Sequence, residues 1–168
     1  MLLIFGGLPG TGKSTISKFV AHELSAAYIS VDTIEQALMD SGIDNVYSEG
    51  YELAYKIAAE NLSLGLTVVA DSVNCIGITR DAWRSVGETA KVSILEIEIV
   101  CSDQGEHKRR IETRNVDIEQ SVQITWNDVL NRDYEPWLQS HVVVDTAGAS
   151  PEQSFEKTLV QIKAKSTL

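Results

Sequence analysis

The chain has 168 residues, 43% apolar and 23% charged, a balance ordinary for a soluble globular protein with a real core. Its formal net charge of -10 disfavours nucleic acid as the main partner, because that affinity rests on a basic surface that neutralises phosphates. No apolar run is long enough to cross a bilayer, and the start "MLLIF" lacks a basic flank and a small-residue cleavage site, so a cytoplasmic protein is expected. Two isolated cysteines, Cys75 and Cys101, are expected as reduced thiols.

Taken in chain order, strand and helix alternate. "LLIF" (Leu2 to Phe5) ends in glycines and reads as a buried strand. "KSTISKFVAHEL" places Ile16, Phe19, Val20 and Leu24 at helical spacing. "AYISVD" is a second strand, expected to end at Asp32. "TIEQALMDSG" and "SEGYELAYKIAAENLSLG" read as helices stopped by Gly42 and Gly65. "LTVVAD" is a third strand ending at Asp71, followed by a helix with Thr79 as its expected N-cap. "VSILEIEIV" is a fourth strand, followed by the charged helix "DQGEHKRRIETR". A short helix opens at Thr125 with Asp128 three residues on, a capping-box pattern. "HVVVD" is a fifth strand ending at Asp145. The last helix carries Ser150 as N-cap, Pro151 at its first position and Gln153 closing the box. This alternation predicts an α/β fold, a parallel sheet with helices on both faces, in one domain over residues 1–168.

The stretch Gly7-Leu8-Pro9-Gly10-Thr11-Gly12-Lys13-Ser14, with Thr15 after it, fits G-x-x-x-x-G-K-[ST] in full. It lies between a predicted strand and a predicted helix, the context that gives the motif meaning. The glycines let backbone N–H groups turn inward around phosphate oxygens, and the helix N-terminus adds unpaired donors. Lys13 would reach the β- and γ-phosphates, and the Ser14 hydroxyl would ligate Mg²⁺. ATP and Mg²⁺ are the cofactors this predicts.

Three predicted strands end in aspartate, and in open α/β sheets ligands sit outside those strand ends. The strand beside the phosphate loop should supply a carboxylate to Mg²⁺, and the apolar, β-branched "LTVVAD" makes Asp71 the choice. Asp32 opens a helix where a carboxylate could take the proton of an attacking hydroxyl. "DTAG" at Asp145 matches D-x-x-G of GTPases, but it lies too near the C-terminus and no guanine-reading N-K-x-D follows.

These residues, together with Asn74 in "VVADSVN" and the Arg-x-x-x-Arg of Arg110 and Arg114, resemble the small P-loop kinases. That group is related to chloramphenicol phosphotransferase, gluconate kinase, zeta toxin and the 5′-polynucleotide kinase domain. The resemblance spans nearly the whole chain. It implies the P-loop NTPase fold with strand order 2-3-1-4-5, phosphoryl transfer from ATP to a hydroxyl, and Asp32 as general base. It places the adenine pocket near "DTAGAS" and a helical lid over about residues 103–135. The acceptor differs from member to member.

On the lid helix, Arg110 and Arg114 are four residues apart and would share one face toward the γ-phosphate; a solvated face with pairs such as Lys108–Glu112 is the plain alternative. Asn74, Arg80 and Arg84 follow the third strand and are candidates to touch the acceptor, though a loop amide and a solvated helix explain them nearly as well. Trp83, Trp126 and Trp137 read as packing, and His22, His107 and His141 as surface residues without metal-ligand spacing. From Ile29 to Asp71 there is one basic residue, Lys56, against eight acids, with Tyr47, Tyr51 and Tyr55 at steps of four. A phosphate-bearing acceptor would be repelled there. The expected activity is therefore ATP-dependent phosphorylation of a small alcohol, neutral or cationic. A nucleotide-binding switch with slow ATPase activity, or a polynucleotide 5′-hydroxyl kinase, is the alternative. The sequence leaves oligomeric state open.

Overall fold

Period-two alternation organises the core. In the first strand, β1 (Leu2–Gly6), Leu2 and Ile4 face one side and Leu3 and Phe5 the other, and all four are fully buried. Burial on both faces requires covering layers on both sides, as a central parallel strand does.

The computed structural model describes residues 1–113 and 124–166. After β1 come α1 (Lys13–Glu23), β2 (Ala27–Ser30), α2 (Val31–Asp40), α3 (Glu49–Ser63) and β3 (Val68–Asp71). They are followed by α4 (Gly77–Thr89), β4 (Ile94–Val100), α5 (Gln104–Glu112), α6 (Trp126–Leu130), β5 (Val142–Asp145) and α7 (Pro151–Ser166). The strands form one parallel sheet in the order β2-β3-β1-β4-β5, with β1 central.

One layer joins Leu3, Phe5, Val69, Ile97 and Ile99 to Ile16 and Val20 of α1 and Ile162 of α7. The opposite layer joins Leu2, Ile4, Val68 and Ala70 to Ala54, Ala58 and Leu62 of α3 and to Trp83 of α4. Each fully buried aliphatic side chain contributes roughly 1.5–3 kcal/mol. The sheet is thus a rigid plate, and the loops at the carboxyl ends of its strands inherit fixed positions.

Local signals explain the helix ends. Gly42 (φ 96°) and Gly65 (φ 81°) close α2 and α3 in the left-handed conformation, as expected. Ile43 N–H donates to Leu38 O and Leu66 N–H to Asn61 O, completing a Schellman motif at each end. The capping boxes at Thr125–Asp128 and Ser150–Gln153 are both present.

Two starts differ from the sequence reading. The second strand ends at Ser30, not Asp32: the Ser30 hydroxyl accepts the Thr33 N–H and caps α2, so Asp32 falls in the first helical turn. Thr79 does not cap α4, which begins at Gly77 with Ile76 at the cap. The Thr79 hydroxyl instead donates back to Ile76 O at 2.9 Å from inside the first turn. Among the described residues no helix is long and apolar enough to cross a membrane.

Candidate active site

The loop between β1 and α1 is shaped by its glycines. Gly7 (φ 144°) passes so close to β4 that a Cβ would lie 2.3 Å from Ile99 O. Gly12 (φ 94°) caps α1 without any side-chain hydrogen bond, so among the described residues no side chain caps the N–H donors of the first turn. They point out of the carboxyl edge of the sheet, with the positive end of the helix dipole behind them. Thr11 stiffens the loop by donating its hydroxyl to Leu8 O at 2.9 Å.

At the start of α1, Lys13 is only 5% exposed. Its Nζ donates to Asp71 Oδ1 at 2.5 Å and lies 3.3 Å from Ser14 Oγ. Asp71 closes β3, the strand beside β1, in register with Phe5. Its second oxygen accepts the Tyr28 hydroxyl at 2.5 Å. Burial pushes the Asp71 pKa up, but the Lys13 ammonium and the hydrogen bonds from Lys13, Tyr28 and Ser14 together outweigh it and hold the carboxyl below the usual aspartate value. The site therefore keeps a carboxylate and an ammonium side by side under the phosphate loop.

The back of the loop is held by α5. Arg110 donates to Thr146 Oγ1 at 2.8 Å, to Thr146 O at 2.9 Å and to Glu106 at 2.6 Å. Thr146, just after β5, donates its hydroxyl to Thr11 O at 2.8 Å. Arg110 thus ties α5 to the phosphate loop through the segment after β5. Arg114 lies outside the described residues.

His107 is a residue the sequence reading misplaced. It is buried, not on the surface: its Nε2 lies 2.7 Å from Pro9 O, and its ring meets Trp126 edge-on at 5.1 Å. The signal was the spacing of His107 and Ile111, the two buried residues of α5, both packed against Gly10 of the loop. His141 is also only half exposed, 3.2 Å from Glu98 and stacked near Trp137, while His22 is exposed as expected.

On the other side of the site, Ser30 at the end of β2 is in register with Asp71, so Asp32, in the first turn of α2 just beyond it, follows the strand next to the one that Asp71 closes. Asp32 is exposed in the first turn of α2. Burial, reinforced by the Asp32 charge, pushes the Glu35 carboxyl up, against a smaller downward pull from Arg132. Tyr51 of α3 lies against Ser72 and the Asn74 backbone, and burial pushes its phenol pKa up to about 12.

Asn74 adopts φ 50° and is fully buried; its Nδ2 donates to Phe5 O at 2.9 Å and its Oδ1 has no hydrogen-bond partner among the described residues. Its amide donor is thus spent on the end of β1.

Arg80 and Arg84 are not available to an acceptor. Arg80 is buried, donates to the carbonyls of Glu135 and Pro136, and stacks on Trp137 at 4.8 Å. Arg84 pairs with buried Glu96 at 2.5 Å and with Asp81. The tyrosine stripe is likewise shorter than expected. Tyr47 precedes α3 and is 78% exposed, so only Tyr51 and Tyr55 meet, and Tyr55 packs against Trp83.

Among the described residues no group of three or more His, Cys, Asp or Glu could hold a metal ion by itself. The oxygens near Lys13 are the Ser14 hydroxyl and the Asp71 carboxylate, hard donors of the kind Mg²⁺ uses when phosphates complete its shell. A 200 Å³ cavity lined by Met1, Ser93, Leu95 and His141 lies at the opposite, amino edge of the sheet, away from these groups.

A parallel sheet of order 2-3-1-4-5, with a glycine loop running from its central strand into a lysine-headed helix, defines the P-loop NTPase fold. Residues 2–135 match the family AAA_33, described as an AAA domain, and the chain belongs to that family. No curated protein matches the sequence. Solved structures share the fold across nearly the whole chain. An APS kinase of Mycobacterium tuberculosis, solved in complex with AMPPNP and APS, aligns with TM-score 0.72 and 16% identity over 96% of each chain. A gluconokinase of Sinorhizobium meliloti 1021 aligns with TM-score 0.67 and 16% identity over 96% of this chain and 91% of its own. A sugar kinase of Janibacter sp. aligns with TM-score 0.66 and 20% identity over 96% and 94%.

Proposed function

We propose that the protein is an ATP- and Mg²⁺-dependent phosphotransferase that moves the γ-phosphate to a hydroxyl of a small, non-phosphorylated molecule. The observation that carries this reading is the Lys13–Asp71 pair at the foot of an uncapped helix N-terminus. The similarity in fold to kinases, one of them solved with the ATP analogue AMPPNP, supports it.

In this reading the N–H groups of Gly10 and of Gly12 to Thr15 surround the β- and γ-phosphates, since Pro9 has none and those of Gly7 and Thr11 already donate to Val73 O and Leu8 O, and Lys13 swings from Asp71 to the phosphate oxygens. Mg²⁺, held by Ser14 and Asp71, supplies charge neutralisation on the phosphates. Asp32 takes the proton of the acceptor hydroxyl. The acceptor oxygen bonds to the γ-phosphorus as the bond to the bridging oxygen breaks, and ADP leaves with that electron pair. Arg110, with Thr146, borders the side where the adenine would lie, and α5 and α6 would belong to the lid.

The character of the acceptor follows from which cations are free. Arg80 and Arg84, the two that could have approached from α4, are both committed to protein partners. The segment from Ile29 to Asp71 keeps eight acids against Lys56. An acceptor phosphate would find no free arginine on α4, and Arg132, close enough to Glu35 to pull its carboxyl down, stands among acids that suit a neutral or cationic alcohol better.

The experiment is transfer from labelled ATP to a panel of neutral and amine-bearing alcohols, nucleoside monophosphates and 5′-hydroxyl oligonucleotides. The expected result is trace ATP hydrolysis that rises sharply with one neutral or cationic alcohol. Efficient transfer to a nucleoside monophosphate or an oligonucleotide contradicts the acceptor class. ATP turnover unmoved by every acceptor favours the switch reading.

A further inference from the structure

Asp71 has two carboxylate oxygens, and each has its own donor. Oδ1 takes the Lys13 ammonium and Oδ2 takes the Tyr28 hydroxyl, both at 2.5 Å. The two donors differ in freedom. Lys13 is a point charge on a four-carbon stem beside an uncapped helix start, and a phosphate would compete for it. Tyr28 stands on β2, whose backbone is fixed to β3 with Tyr28 opposite Val69. Its ring packs against the core layer that holds Phe5 and Val69, and Lys18 Nζ lies 6.0 Å above it. Were Lys13 drawn off by a phosphate, the packed phenol would remain beside Asp71.

A carboxylate with one oxygen pinned has its other oxygen aimed. Partners of metal-ligating carboxylates act in this way, fixing orientation from behind. We propose that Tyr28 is a positioning residue: it holds Asp71 Oδ2 so that Oδ1 faces the magnesium ion once Lys13 has turned to the nucleotide phosphates. This rests on the magnesium–nucleotide reading given above. Nothing in the glycine-loop motif points to Tyr28, because it lies on the far side of β3 from β1 and reaches Asp71 only through sheet register.

The test is the affinity of a fluorescent ATP analogue, titrated with and without Mg²⁺, for the wild type, Tyr28→Phe and Asp71→Asn. Phe keeps the ring and its packing, and a thermal melt of each variant checks the fold. Wild type is expected to bind more tightly with Mg²⁺. Tyr28→Phe should lose about tenfold of that gain, the low end for loss of such an outer partner, while its Mg²⁺-free affinity stays within about twofold of wild type. Asp71→Asn should lose the gain altogether. A packing-only role for Tyr28 would leave the gain intact, so a full Mg²⁺ gain in Tyr28→Phe overturns the proposal. Wild type without any Mg²⁺ gain overturns the magnesium reading itself, and the proposal with it.

Discussion

The two flanks of the site are built differently. On the nucleotide flank, every charged group near the loop is engaged: Lys13 with Asp71, Asp71 with Tyr28, Arg110 with Glu106 and Thr146. On the flank proposed for the acceptor, Asp32 is exposed, burial and the Asp32 charge push the Glu35 carboxyl up, and Asn74 Oδ1 is buried without a hydrogen-bond partner among the described residues. Phosphate recognition is generic and is met by a rigid, pre-paired frame. Under the proposed function, acceptor recognition would be particular and would fall to the exposed Asp32.

The contrast is broken most severely at Lys13. Lys13→Met leaves the buried Asp71 carboxylate without its cation, and stability should fall by about 2–4 kcal/mol, less than the worst case because Tyr28 still donates. Phosphoryl transfer should be lost with it. Adding Asp71→Asn should restore most of the stability and none of the transfer, as read by urea melts and ATP turnover. A Lys13→Met protein as stable as wild type would show that the pair is not a buried one. On the opposite flank, Asp32→Asn should lower kcat by about 10²–10⁴-fold while the melt and ATP affinity stay unchanged, because the side chain is exposed. Near-normal turnover with the true acceptor would remove Asp32 as the base.

Arg80 sharpens the same contrast, since its burial matches that of Lys13 but its hydrogen bonds go to carbonyls, it stacks on an indole, and its carboxylate partner, Glu135 at 3.7 Å, is exposed. Arg80→Met should cost about 1–3 kcal/mol and leave ATP affinity alone; a shift in nucleotide affinity would return it to the site. The smallest effect is on the acid limb of stability. The folded Asp71 carboxyl titrates below its ordinary 3.8, so its contribution is complete above that value and drains away as the pH falls toward the folded value. Asp71→Asn should flatten that part of the stability profile, measured by melting between neutral and strongly acidic pH.

Much of the fold was legible before any coordinates. Alternation of strand and helix predicted the parallel sheet, and the family resemblance supplied its order, both as observed. The loop from Gly7 to Ser14 was legible because a contiguous motif carries its whole geometry in one stretch. Residues that meet the loop from elsewhere were not. Tyr28 reaches Asp71 through sheet register, and His107 reaches Pro9 through the docking of α5, neither of which is local in sequence. The arginines of α4 misled for the opposite reason: a cation near a strand end looks functional until its carbonyl and carboxylate partners, Glu135 and Pro136 for Arg80 and Glu96 for Arg84, are in view.

The central claim is that Lys13 changes partner when nucleotide arrives. A crystal structure with Mg²⁺ and a non-hydrolysable ATP analogue tests it directly. The account predicts the triphosphate in the β1–α1 loop, with Lys13 Nζ moved from Asp71 to the phosphate oxygens and Asp71 turned to the metal. Nucleotide bound elsewhere, with the 2.5 Å Lys13–Asp71 pair intact, would contradict it.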